Sequence, residues 1–170
     1  MVQAEQTGKW KAYLSYSDVQ DVEQGSGNII YVLASNNIYS YNTADQSIQT
    51  FDKTNGLSDC NISHISYNKS VKRLVIIYSN QNIDLMDDNG NVVNISDYYN
   101  SSITSDKTIN DVCQSAGSAY LSTGFGIVKL NVANAEISDT YNLGFKVDYS
   151  YLDSEYIYAA SSVNGIYRAL

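Results

Sequence analysis

The chain has 170 residues, enough for one domain with its own core, and 44% of them are apolar, which excludes a disordered composition. The formal charge of -8 and the absence of a Lys/Arg cluster disfavour nucleic acid and anionic lipid as partners, and no apolar run reaches membrane-spanning length. Two cysteines, Cys60 and Cys113, are too few for a disulfide scaffold and read as unpaired thiols.

Taken in chain order, residues 1–9 read as an N-terminal tail without the basic and apolar pattern of a signal peptide. Residues 10–170 then read as a single repeat-built domain. Trp10 to Tyr16 reads as an outermost strand with no partner strands before it. Four related segments follow, at 19–51, 62–95, 109–141 and 147–170. Their common marker is an isoleucine just after a central polar turn, at Ile38, Ile83, Ile127 and Ile166. The markers recur 45, 44 and 39 residues apart. A period near forty with about four short strands per copy is the signature of propeller blades.

The second copy shows the pattern most clearly. Ile62 to Tyr67 alternates and is placed innermost. Arg73 to Tyr78 is apolar on both faces, as a strand between neighbouring blades must be. Ile83 to Met86 follows a short polar turn, and Val92 to Ile95 follows Asp87-Asp88-Asn89-Gly90-Asn91, whose Asn-Gly marks a hairpin. No stretch carries a helical period, so the expected class is all-β, with four-stranded antiparallel blades. The last copy stops after its third strand. Trp10 to Tyr16 has the right type to supply a fourth, so the four units either close as a small ring or form an open arc. An open arc would expose blade faces rich in Ile, Val and Tyr and favour self-association.

No catalytic set is legible. His64 is the only histidine and lies within an alternating strand, which favours a structural role. Asp84 to Asn91 has acids before a glycine but lacks the distal carboxylate of a calcium loop. Gly124-Phe125-Gly126 follows a strand and precedes another, so it reads as a turn and not a dinucleotide fingerprint. Tyr98, Tyr99 and Asn100 lie in a longer connection between blades. They are the candidate ligand or partner contacts, set against a packing role between blades. No metal or cofactor is expected.

The stretch TNGLSD, Thr54 to Asp59, joins one blade to the next, with Leu57 placed to plug the seam. It runs into CNISHISYN and resembles the interblade segment of two-component-regulator propeller repeats. Together with WKAYLSYSDV, NNIYSYN, QNIDLMDDNG, AYLSTGFGIVKLN and YIYAASSVNGIYRA, it makes Trp10 to Leu170 resemble the N-terminal propeller of the PorZ family. That resemblance implies an exported protein at the outer-membrane surface or in the periplasm, longer than this chain. It implies a non-enzymatic binding module of the type IX secretion and surface-attachment machinery. The partners it implies are a sortase-type protease or surface polysaccharide. The alternative is a periplasmic glycan-sensing propeller of a hybrid two-component regulator. A propeller lyase or glycosidase would need converging acids that the sequence does not show.

Overall fold

The computed structural model describes residues 14–170. Fifteen strands form four antiparallel sheets that follow one another along the chain. Blade 1 holds β1 (Val19–Gln24), β2 (Ile29–Ala34), β3 (Asn37–Asn42) and β4 (Ile48–Phe51). Blade 2 holds β5 (Ile62–Asn68), β6 (Arg73–Tyr78), β7 (Ile83–Asp87) and β8 (Val92–Ile95). Blade 3 holds β9 (Ile109–Ser115), β10 (Ser118–Thr123), β11 (Gly126–Asn131) and β12 (Glu136–Asn142). Blade 4 has three strands, β13 (Tyr149–Leu152), β14 (Ile157–Ser161) and β15 (Gly165–Ala169). Within each sheet the strands pair in chain order, as a meander of hairpins.

Of the expected closing strand, residues 10–13 lie outside the described residues, and Leu14 to Tyr16 carry no strand pairing. These three sit at the first blade: Asn37 Nδ2 donates to the Ser15 carbonyl at 3.1 Å, and the Tyr16 ring packs edge-on against Tyr39. The innermost strands touch in the order β1, β5, β9, β13, and the blades form an arc that is not closed into a ring.

The hairpins follow from local chemistry. At Asp87 to Asn91 the Asp87 carboxylate accepts from the Asn89 and Asn91 amides at 2.9 Å, and Gly90 takes a φ of 83°. Gly124 and Gly126 flank the turn from β10 to β11. A side chain on Gly126 (φ 156°) would overlap the Tyr141 carbonyl, and one on Gly124 would meet Asp106. The glycine pair therefore records close backbone approach, as the turn reading expects. One element has no sequence signal: a single helical turn, α1 (Asp97–Asn100), too short to show a 3.6-residue period.

The core sits in the seams between blades. Tyr31, Leu33, Ile38 and Phe51 of blade 1 meet Ile65, Leu74, Ile76 and Met86 of blade 2. Val75, Ile77, Ile83 and Ile95 of blade 2 meet Ala119, Leu121, Val128 and Leu130 of blade 3. Tyr120 and Ile127 of blade 3 meet Ala159 of blade 4. Strand alternation explains why β6 is apolar throughout: one face serves each neighbouring seam, and Leu74 through Tyr78 are all fully buried. The marker isoleucines have one role throughout, each turned to the blade that follows. Ile38, Ile83 and Ile127 are buried, whereas Ile166 is 78% exposed.

Candidate binding surface

The joint Thr54 to Asp59 is built as a self-satisfied turn. The Asp52 carboxylate accepts from the Thr54 amide at 2.6 Å, Asn55 Oδ1 accepts from the Asp52 amide at 2.7 Å, and Asn55 Nδ2 donates to the Thr50 carbonyl at 2.8 Å. Gly56 takes a φ of 132°, a backbone angle that other residues resist. Leu57 is buried among Phe51, Ile62 and their neighbours, which is the plug expected of it.

The Ser58 amide then donates to Asp84 Oδ2 at 2.8 Å. Asp84 is fully buried, and its carboxylate also accepts from the Tyr78 hydroxyl at 2.5 Å and from Asn94 Nδ2 at 2.8 Å. Burial, with the Asp84 carboxylate as acceptor, pushes the Tyr78 phenol well above its ordinary value. The acid that looked like part of a loop is thus an internal clamp between joint and blade. A small cleft of about 150 Å³ lies over the joint, lined among others by Leu14, Asn36, Phe51, Leu57, Asp59 and Cys60.

His64 has a structural place. Its Nε2 lies 3.1 Å from the Asn110 carbonyl and its Nδ1 3.1 Å from Ser63 Oγ. A carbonyl only accepts, so Nε2 carries a proton and ties blade 2 to blade 3. Cys60 is exposed and Cys113 half-buried, both as free thiols, with burial raising the Cys113 pKa. Among the described residues no three His, Cys, Asp or Glu side chains converge on a metal-sized site.

Of the three predicted contact residues, Tyr98 is core: it is 2% exposed, packs with Ile95, Ile109 and Phe125, and donates its hydroxyl to the Lys107 carbonyl at 2.7 Å. Its packing role explains the aromatic at that position. Tyr99 and Asn100 face solvent. Lys107 Nζ closes the turn, donating to the carbonyls of Tyr98, Tyr99 and Ser101 at 2.8–3.2 Å.

A feature without any sequence signal recurs on three innermost strands. Each of β1, β5 and β9 carries a bulge at its second residue: Gln20, Ser63 and Asn110. Bulges twist a strand and re-aim a side chain. These three spend their polarity on neighbouring segments: Gln20 Oε1 accepts from the Asn36 amide, Ser63 Oγ donates to the Ile77 carbonyl, and Asn110 Nδ2 donates to the Val147 carbonyl.

At this same end of the strands lies the largest cleft, about 580 Å³. It is open and lined by Asn110, Lys146, Asp148, Tyr149, Ala160, Ser161 and Ser162. Lys146 Nζ pairs with Asp148 Oδ1 at 2.8 Å, and Asp148 Oδ2 accepts from the Ser162 amide at 2.6 Å. The bond from Lys146, followed by those from Ser162, holds the Asp148 carboxyl down at about 2, and Asp148 raises the Lys146 pKa in turn. Tyr149 stands beside this pair with 65% of its surface exposed. The arrangement offers fixed charges, amides, hydroxyls and a ring face. It contains no nucleophile poised beside a base, so it is suited to binding.

Repeated antiparallel sheets set side by side, with their innermost strands adjacent and a polar cleft at one end, define a β-propeller domain of the interaction type. A model of the N-terminal β-propeller domain of PorZ, of the type IX secretion system, matches residues 30–170. The chain belongs to that family.

Among solved structures it is similar to PorZ, an essential bacterial surface component of the type IX secretion system of Porphyromonas gingivalis. That similarity holds at 32% identity and a TM-score of 0.83. The match covers 91% of this chain and 21% of that one, so the chain spans about a fifth of that PorZ. The extracellular domain of a hybrid two-component system from B. thetaiotaomicron matches at 18% identity and a TM-score of 0.70, covering 91% of this chain and 21% of that one. The computationally designed protein Ika4 matches at 9% identity and a TM-score of 0.69, covering 99% and 94%. At such identities the last two show the shared fold alone. No curated protein matches. No helix among the described residues is long and apolar enough to cross a membrane.

Proposed function

We propose that the chain is a non-enzymatic binding module of the type IX secretion and cell-surface attachment machinery, acting at the outer-membrane surface or in the periplasm. Membership of the PorZ propeller family supports the setting. The observation that carries the binding role is the cleft at Lys146, Asp148 and Tyr149. An exposed ring beside an amide, a fixed ion pair and two serine hydroxyls is the chemistry that seats a sugar unit of a surface polysaccharide. Tyr99 and Asn100, exposed on α1, are the second contact region and suit a protein partner such as the sortase-type protease.

The two regions make separable predictions. Titrating the chain with polysaccharide released from its own outer membrane, followed by amide NMR, is expected to shift Asn110, Tyr149 and Ser162. Tyr149→Ala should weaken that binding about tenfold, the worth of one stacked ring. Affinity capture of the sortase-type protease should be reduced by Tyr99→Ala and unaffected by Tyr149→Ala. A chain that binds neither polysaccharide nor protease would overturn the proposal.

A further inference from the structure

We propose that the outer face of blade 4 is a docking surface for a second copy of this chain, in a two-fold dimer that sets blade 4 against blade 4. The inference goes beyond the binding role above and uses neither of its contact regions as an interface centre.

The face is identified by strand alternation. Ser150, Leu152, Ile157 and Ala159 turn toward blade 3. The opposite face carries Tyr149, Tyr151, Tyr158, Ala160 and Ile166, which line a shallow cleft. Tyr149, Tyr151 and Ile166 are 65%, 64% and 78% exposed. The positions corresponding to Ile166 are Ile38, Ile83 and Ile127, each at most 2% exposed beneath the blade that follows it. The same kind of sheet face is therefore covered by another sheet in all three seams of this molecule. The fourth is built to the same pattern, and the occupant that fits it is another antiparallel sheet with an apolar face.

The two ends of the arc differ, and the difference selects the symmetry. On the outward face of blade 1, Val32 and Ala34 are buried and the Tyr16 ring packs against Tyr39, leaving Val22 and Ile48 exposed at the rim. The centre of that face is already occupied by the chain itself. Blade 4 has no such cover among the described residues. A head-to-tail contact would have to displace Tyr16, whereas a contact of blade 4 with its own copy displaces nothing. A patch that meets itself closes as a dimer and does not propagate. Three strands of about five residues span roughly 14 by 17 Å, smaller than the ~800 Å² per partner of a standard interface. Association is accordingly expected only above tens of micromolar, on the order of 10–100 μM.

Sedimentation equilibrium from about 5 μM to about 1 mM tests this, over the affinity range just argued. The expected result is a monomer–dimer equilibrium with no larger species. Tyr151→Asp and Ile166→Asp, both at exposed positions that leave the seams intact, should each weaken it at least about tenfold. Ile48→Asp, at the far end, should leave it unchanged. In a Cys60→Ser background, Ile166→Cys should cross-link two chains on oxidation and Ile48→Cys should not. A monomer throughout overturns the second copy as occupant and gives the seat to a sheet of other origin. Dissociation by Ile48→Asp, or species beyond a dimer, overturns the two-fold arrangement in favour of head-to-tail contact.

Discussion

At the scale of single residues, the buried carboxylate of Asp84 carries more structure than any acid on the surface. Its three donors, the Ser58 amide, the Tyr78 hydroxyl and Asn94 Nδ2, come from the interblade joint and from two strands of blade 2. Asp84→Ala leaves all three without a partner in a dry site, and each such loss costs ~1–3 kcal/mol before relaxation. The expected net loss is about 3 kcal/mol, read as a lower urea midpoint with an unchanged slope. An unchanged midpoint would mean that water replaces the carboxylate. Gly126→Ala should do more harm, because the added carbon overlaps the Tyr141 carbonyl on a neighbouring strand and no rotamer can relieve it. The expected outcome is a chain that fails to fold or loses over about 3 kcal/mol. Gly27→Ala, at a positive φ but with open space around it, is the control and should lose about 1 kcal/mol. Asp148 gives a pH signature. Its carboxyl titrates lower in the fold than in the unfolded chain, so its contribution is present above the ordinary carboxylate range and is lost as pH falls toward about 2. Carboxyl-carbon NMR should show Asp148 as the last of the aspartates near the cleft to protonate, and Lys146→Met should return it to the ordinary range.

Elements show where a sequence speaks and where it is silent. The bounds of β6 and β8, Arg73–Tyr78 and Val92–Ile95, were legible to the residue. A doubly buried strand has no polar position to blur its ends, and Asn-Gly turns punctuate the chain sharply. The turn at Gly124 and Gly126 and the plug at Leu57 were legible for similar local reasons. The bulges at Gln20, Ser63 and Asn110 were not, since an extra residue in one strand is defined only against its partner. Asp84 was read with its neighbours as a loop acid because nothing local separates a buried carboxylate from an exposed one. The cleft at Lys146 and Asp148 was missed because its lining comes from three strands and the connections that join them. Within the Tyr98-Tyr99-Asn100 run the sequence found an element worth attention but could not say which ring faces inward. The single turn α1 depends on Lys107, whose ammonium collects three carbonyls that the helix end leaves unpaired. Lys107→Met keeps the stem and removes the charge. It should speed amide exchange through residues 97–107, with a global loss of only about 1 kcal/mol. Equal slowing or no change there would show that Tyr98 alone holds the turn.

For the whole molecule, the repeat period gave the number of blades but not the closure of the ring. Each copy encodes its own sheet and the faces it offers, and those faces read the same whether or not a neighbour covers them. Closure depends on the angle between blades, which no single residue specifies. The open arc has an energetic consequence. Each blade leans only on its neighbours, so stability is nearly a sum of blade and seam terms. Blade 2 shares two seams, and every side chain from Leu74 to Tyr78 and from Ile83 to Met86 is fully or almost fully buried. Blade 4 shares one seam, lacks a fourth strand, and has every residue of β15 exposed. Local opening should therefore grade along the arc. Native-state hydrogen exchange at low micromolar concentration, where self-association is negligible, is expected to find the slowest amides in β6, β7 and β10. The amides of β15 should open at least about 2 kcal/mol more easily than those of β6. Raising the concentration into the range where blade 4 pairs with its copy should narrow that gap from the β15 side only, because pairing covers β15 and leaves β6 untouched. Exchange in β15 as slow as in β6 at low concentration would show that the blades open together, and that the arc behaves as one cooperative unit.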